Sequence, residues 1–123
     1  MEKIKLEFSA SHCFNLLSKK VVVMTLDETG KNYTAEIRYN LSGNKEELPN
    51  LSKRVLAAFT ENAINKILSK DEIPNETDIM VLDGYNYQIK ISKGDVCKDY
   101  YADDASIKTY PLLKYLASWC RRQ

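Results

Sequence analysis

The sequence predicts an α+β fold: an antiparallel sheet of about six strands in the order β-β-β-α-β-β-β-α, with two helices packed on one face. Three observations carry this reading. Most of the chain alternates apolar and polar residues with a period of two. In two places, residues 50–69 and 110–120, the period changes to 3.6. The connections between apolar runs are short and rich in Gly, Asn and Asp, which joins neighbouring strands as hairpins.

The first strand is read from Ile4, Leu6, Phe8 and Ala10, which alternate with Lys3, Lys5, Glu7 and Ser9. Residues 11–18 follow no clean period and receive no assignment. Val21 to Leu26 is β-branched and almost wholly apolar, as in a central strand. The polar stretch 27–32, with Gly30 free to take positive φ, turns the chain into a third strand, where Tyr33, Ala35, Ile37 and Tyr39 share a face. After a break at residues 40–44, Leu51, Val55, Leu56, Phe59, Ala63 and Ile67 fall on one side of a long helix over 50–69, with Asn50 as its N-cap. Residues 79–82 and 85–91 flank Asp83-Gly84, a strong hairpin signal. A turn at 92–95 leads to a further strand over 96–101. Pro111 then opens a final helix whose Leu112, Leu113, Leu116, Trp119 and Cys120 share a face.

Composition excludes several classes of function. A chain of 123 residues with 44% hydrophobic and 28% charged residues, four Gly and three Pro, reads as one globular domain, residues 1–123, and not as a disordered segment. Eighteen basic residues against seventeen acidic ones leave a formal charge of +1, so no long-range field draws nucleic acid to the molecule as a whole. The N-terminal residues lack the apolar run of a signal peptide, and no segment approaches the ~18 apolar residues of a membrane span. Cys13, Cys97 and Cys120 form no C-x-x-C pair and have no histidine cluster beside them, so neither a disulfide framework nor a zinc site is expected. A cytoplasmic protein with reduced thiols, no cofactor and no metal is the expectation.

No glycine-rich phosphate loop, nucleophile elbow or zinc-protease motif is present, and no catalytic set is assigned. His12, the only histidine, lies beside Cys13. Neighbouring strand residues point to opposite faces, so that pair is poorly placed for thiol chemistry, although Cys13 or Cys97 can still be asked to meet His12 in space. Asp99, Tyr100, Tyr101, Asp103 and Asp104 form an acidic and aromatic cluster suited to a basic partner. Eight tyrosines are the most unusual feature of the composition. Tyr85, Tyr87 and Tyr101 are candidates for one binding face. The competing reading places Tyr33, Tyr39, Tyr85 and Tyr87 in phase with Ile37, Ile89 and Ile91 on the core face, with Tyr100 and Tyr101 pointing to opposite sides.

The segment Leu82-Asp-Gly-Tyr-Asn-Tyr-Gln-Ile-Lys-Ile91, the strand after it and the helix from Tyr110 to Trp119 resemble the C-terminal part of small bacterial α+β proteins, among them immunity proteins of toxin systems. The likeness covers about a third of the chain and carries over no functional residue. It implies a small binding or inhibitory module whose partner is another protein, such as a basic toxin or effector. Two other classes stay open: a small-ligand binder or enzyme with a pocket between the sheet and the long helix, using His12 and the Asp cluster, and a nucleic-acid binder that stacks bases on its tyrosines.

Overall fold

The computed structural model of the protein describes residues 2–12, 15–73 and 84–123. Six strands, β1 (Ile4–His12), β2 (Asn15–Asp27), β3 (Gly30–Tyr39), β4 (Lys45–Glu47), β5 (Tyr85–Lys93) and β6 (Val96–Asp103), form one antiparallel sheet in the order β4-β3-β2-β1-β5-β6. Three helices accompany it among the described residues: α1 (Lys53–Ala58), α2 (Glu61–Leu68) and α3 (Pro111–Arg121), the last preceded by a 3-10 turn at Ser106–Thr109. The architecture is the expected α+β one. Among the described strands, four of the five pairings join consecutive ones, and the fifth sets β5 beside β1, which comes much earlier in the chain.

The register explains how the sheet acquires a core side. Leu6 lies opposite Met24 and Ile91, and Phe8 opposite Val22 and Ile89. Ile89 in turn faces Tyr100. Period-two alternation therefore lines one face with Ile4, Leu6, Phe8, Val22, Met24, Ile89 and Ile91, all fully buried. Onto this face pack Val55 of α1 and Phe59 at its C-terminal cap, Ile64 and Ile67 of α2, and Leu112, Leu113, Leu116 and Trp119 of α3, in one continuous cluster. Each such side chain contributes about 1.5–3 kcal/mol through its removal from water.

Four expectations change. The long helix over 50–69 is two helices, because the chain leaves helical geometry at Phe59 (ψ 90°) and Thr60 (ψ 161°). The Thr60 side chain accepts from Ala63 N at 3.1 Å and starts α2 afresh. The break rotates the second helix so that Ile64, not Ala63, takes the fully buried position. The N-cap of α1 is Ser52, which accepts from Val55 N at 3.3 Å, and not Asn50. The three-residue strand β4 has no apolar pattern to announce it, and is held by its ladder with Glu36, Ile37 and Arg38 and by Leu48 N donating to Ala35 O. Residues left unassigned at 11–12 and 15–18 extend β1 and β2. The strand expected at 79–82, with Asp83 of its turn, lies outside the described residues; β5 already pairs with β1 on one side and β6 on the other.

The β5–β6 turn shows local sequence fixing geometry. Lys93 faces Val96, leaving a two-residue loop whose Gly94 has φ +57°, and a Cβ there would sit 2.8 Å from the Glu2 carboxyl carbon. Helix α3 begins as the sequence predicts, with Pro111 at its first position, where no backbone N–H is missed.

Candidate functional site

The acidic and aromatic cluster at residues 99–104 is divided by the fold. Tyr100 is only 1% exposed and belongs to the core, its hydroxyl donating to Lys70 O at 2.8 Å and Ile67 O at 3.1 Å. Burial pushes its phenol pKa up. Asp103 accepts from the backbone N (2.8 Å) and hydroxyl (2.6 Å) of Ser106, and so opens the 3-10 turn. Asp104 accepts from the Tyr87 hydroxyl and from Arg121 Nη1 at 2.9 Å, tying the end of the sheet to the last turn of α3. These three side chains are occupied within the fold.

Asp99 and Tyr101 lie on the side of β6 opposite Tyr100. Tyr101 is 65% exposed and Asp99 is exposed, on the face of the sheet opposite the core. Gln88 of β5, the register partner of Tyr101, donates from Nε2 to both Asp99 oxygens and to the Tyr101 hydroxyl, each at 3.2 Å. This polar bridge fixes the two side chains side by side. Gln88 was not singled out from sequence, although its place in the polar phase between Tyr87 and Ile89 puts it on this face.

The expected tyrosine face is corrected in the same way. Tyr87 pairs with Ala102 and Gln88 with Tyr101, so Tyr101 lies on the side opposite Tyr85 and Tyr87. Tyr87 is buried, and Tyr33 and Tyr85 pack against the core from its margin. The Tyr87 ring stacks on Phe8 at 5.2 Å and on Tyr85 at 6.2 Å. Burial, followed by the hydrogen bond to Asp104, drives its phenol pKa far above the ordinary range.

His12 sits at the end of β1, edge-on to the Tyr85 ring at 5.0 Å. Cys97 is at the far end of the sheet, opposite Ser92, so the two do not meet; Cys13 lies outside the described residues. Near His12 is a cavity of about 70 Å³ lined by Ala10, His12, Ser18, Lys19, Lys20 and Tyr85. A hollow of about 540 Å³ lies between the segment after α2, at Lys70 to Ile73, and the 3-10 turn at Ser106 and Thr109. Phe8 of the sheet, Val55, Phe59, Ile64 and Ile67 are fully or almost fully buried in one cluster between the sheet and α1 and α2.

Among the described residues no three His, Cys, Asp or Glu side chains converge as a metal site would require. No helix among them is long and apolar enough to cross a membrane. Comparison with protein-family models, with curated proteins and with solved structures finds no match to this chain.

Proposed function

We propose that the protein is a small binding module of the inhibitory, immunity-protein kind, and that it engages a basic protein partner through the open face of β5 and β6. The observation that carries this reading is the pairing of Tyr101, 65% exposed, with Asp99 on an uncovered sheet surface. An exposed tyrosine supplies a large contact area at low entropic cost, and a neighbouring carboxylate selects for Lys or Arg on the partner. Held together by Gln88, the pair is already ordered before a partner arrives, which lowers the cost of association.

The residues at 103 and 104 are poor probes of this surface, because charge reversal at Asp104 also strips Tyr87 and Arg121 of their partner. Tyr101→Ala and Asp99→Lys are the clean changes. The test is retention of a stoichiometric protein from native host lysate at physiological salt, with wild type, Tyr101→Ala and Asp99→Lys as parallel baits. A partner held by wild type and lost by both variants, all three with the same melting temperature, supports the reading. Equal retention by all three removes this face from it.

A further inference from the structure

The two edges of the sheet are built differently. One is β4, three residues long, which offers little backbone to a further strand. The other is β6, eight residues in unbroken register with β5 and without a proline or a bulge. Shortness, Pro, bulges and charge are the usual guards of a sheet edge, and of these β6 carries only charge.

The register decides which backbone groups face outward. Lys93 and Val96 close a two-residue loop, so they exchange both backbone hydrogen bonds. Alternation then gives Lys98, Tyr100 and Ala102 to the ladder with β5, and turns the N–H and C=O of Cys97, Asp99 and Tyr101 to the edge. Among the described residues, none hydrogen-bonds to the backbone at these three positions. All three residues are exposed, with their side chains on the open face.

Charge along this edge selects what can pair with it. Residues 95–104 hold four Asp and one Lys. Lys98 is turned to the covered side, where its Nζ donates to Leu68 O and Lys70 O and meets Asp71 at 3.3 Å. Asp99 stands at the middle of the outward-facing row, and Lys90, its register partner, lies on the inner strand. A second copy of β6 would set another acidic edge against this one, whereas a Lys or Arg on an added strand would lie at cross-strand distance from Asp99.

We propose that β6 accepts an extended basic segment of another protein as an added strand, with backbone hydrogen bonds to Cys97, Asp99 and Tyr101 and a Lys or Arg beside Asp99. Strand addition rests on the reading of β5 and β6 as a partner surface, and gives that partner its bound conformation.

The test is a titration of the folded chain with a short capped peptide of alternating Thr and Lys, read by amide NMR and hydrogen exchange. In the free chain the amides of 97, 99 and 101 are expected to exchange fast and those of 98, 100 and 102 slowly; saturating peptide protects the first set. Cys97→Pro removes an outward N–H and leaves the β5 ladder intact, as Pro on an edge strand allows, and weakens binding about tenfold. Its amide spectrum reports whether the fold is kept. The peptide N-methylated at every second residue loses binding in one phase and keeps it in the other, and with Glu in place of Lys it does not bind. Binding that Tyr101→Ala and Asp99→Lys weaken, but that Cys97→Pro and N-methylation in either phase leave unchanged, overturns strand addition while the partner surface stands. Protection of 97, 99 and 101 in the free chain that rises with protein concentration assigns the edge to a second copy and also overturns it, as does the absence of saturable shifts up to millimolar peptide. Failure of the partner surface itself is read separately, from equal lysate retention by wild type, Tyr101→Ala and Asp99→Lys.

Discussion

On the covered face of the sheet, polar side chains reach outward to the helices, whereas on the open face they reach to one another. Four lysines stand in the apolar phase of their strands, at the rim of the covered face. Lys20 donates to Cys120 O in the last turn of α3 and to Gln123 O beyond it, Lys31 to Leu56 O in α1, and Lys98 to Leu68 O at the end of α2 and to Lys70 O beyond it. Lys93 reaches Asn65 and Glu61 of α2. Helix C-termini carry unsatisfied carbonyls and partial negative charge, so an ammonium there answers both. On the open face the contacts are lateral: Gln88 bridges Asp99 and Tyr101, and Arg38 joins Glu36 and Glu7. The same alternation of residue types thus produces fastening to the helices on one side and lateral polar contacts on an exposed surface on the other.

The sharpest way to break this contrast is at two aromatic side chains. Phe8→Ala removes a fully buried ring that stacks on Tyr87, and is expected to cost about 3–5 kcal/mol in urea unfolding. Tyr101→Ala, on the open face, is expected to stay within about 0.5 kcal/mol of wild type. A large loss at Tyr101 would mean that this face also carries packing.

Titration should separate the faces next. Burial pushes the Cys120 thiol up from its ordinary value of 9.0 to about 12, and burial with Asp104 raises Tyr87 as well. Both groups are acids whose folded-state pKa lies above the unfolded one, so the folded chain holds their protons more tightly. Their contribution is complete below the unfolded pKa and is lost as pH rises towards the folded one. Stability is therefore expected to fall between about pH 9 and about pH 12, by on the order of 4 kcal/mol for Cys120. Urea midpoints measured across this range should decline less steeply in Cys120→Ala than in wild type. An equal slope would place the alkaline transition elsewhere.

Lys98→Met tests the fastening itself. It leaves the carbonyls of Leu68 and Lys70 without their ammonium and is expected to cost about 1.5–3 kcal/mol, while Lys90→Met on the open face should be close to neutral. Smaller again is Thr60→Ala, at about 1 kcal/mol, because it removes only the side-chain cap of α2.

The sequence made the strands and the last helix legible wherever side chains alternate around a core. Ile4 to Ala10 and Leu112 to Cys120 are buried in the phases their periodicity predicts. What escaped was set by the backbone or by tertiary partners. The break at Phe59 and Thr60 interrupts a pattern that stays apolar at four-residue spacing through Leu51, Val55 and Phe59, and only the capping threonine marks it. Strand β4 is Lys-Glu-Glu and rests on ladder hydrogen bonds, which composition does not reveal. At the cluster of residues 99–104, alternation separates Tyr100 from Tyr101, but the use of Asp103 and Asp104 depends on Ser106, Tyr87 and Arg121 arriving from other elements. The lysines in apolar phase were the available signal for the helix attachments, since a charge in a core row needs a partner.

The smallest expected effect probes how the open face protects its own apolar residue. Val21 is fully buried although its alternation places it on the side away from the helices, beside Ser9 and Glu36. Arg38 donates to Glu36 at 2.6 Å and comes within 3.6 Å of Glu7 on β1, so its side chain spans β2 in the neighbourhood of Val21. An arginine stem can shield apolar surface while its guanidinium stays wet. Arg38→Ala removes stem and charge and is expected to cost about 0.5–1 kcal/mol. Arg38→Met keeps the stem and removes only the charge. If Met restores most of the loss, and the remaining difference from wild type shrinks as salt is raised, the open face owes its stability to cover over Val21 and only secondarily to its ion pairs. If Met is no better than Ala, the charge network linking β1 and β3 is the element that holds this face, and the contrast with the covered face is one of electrostatics alone.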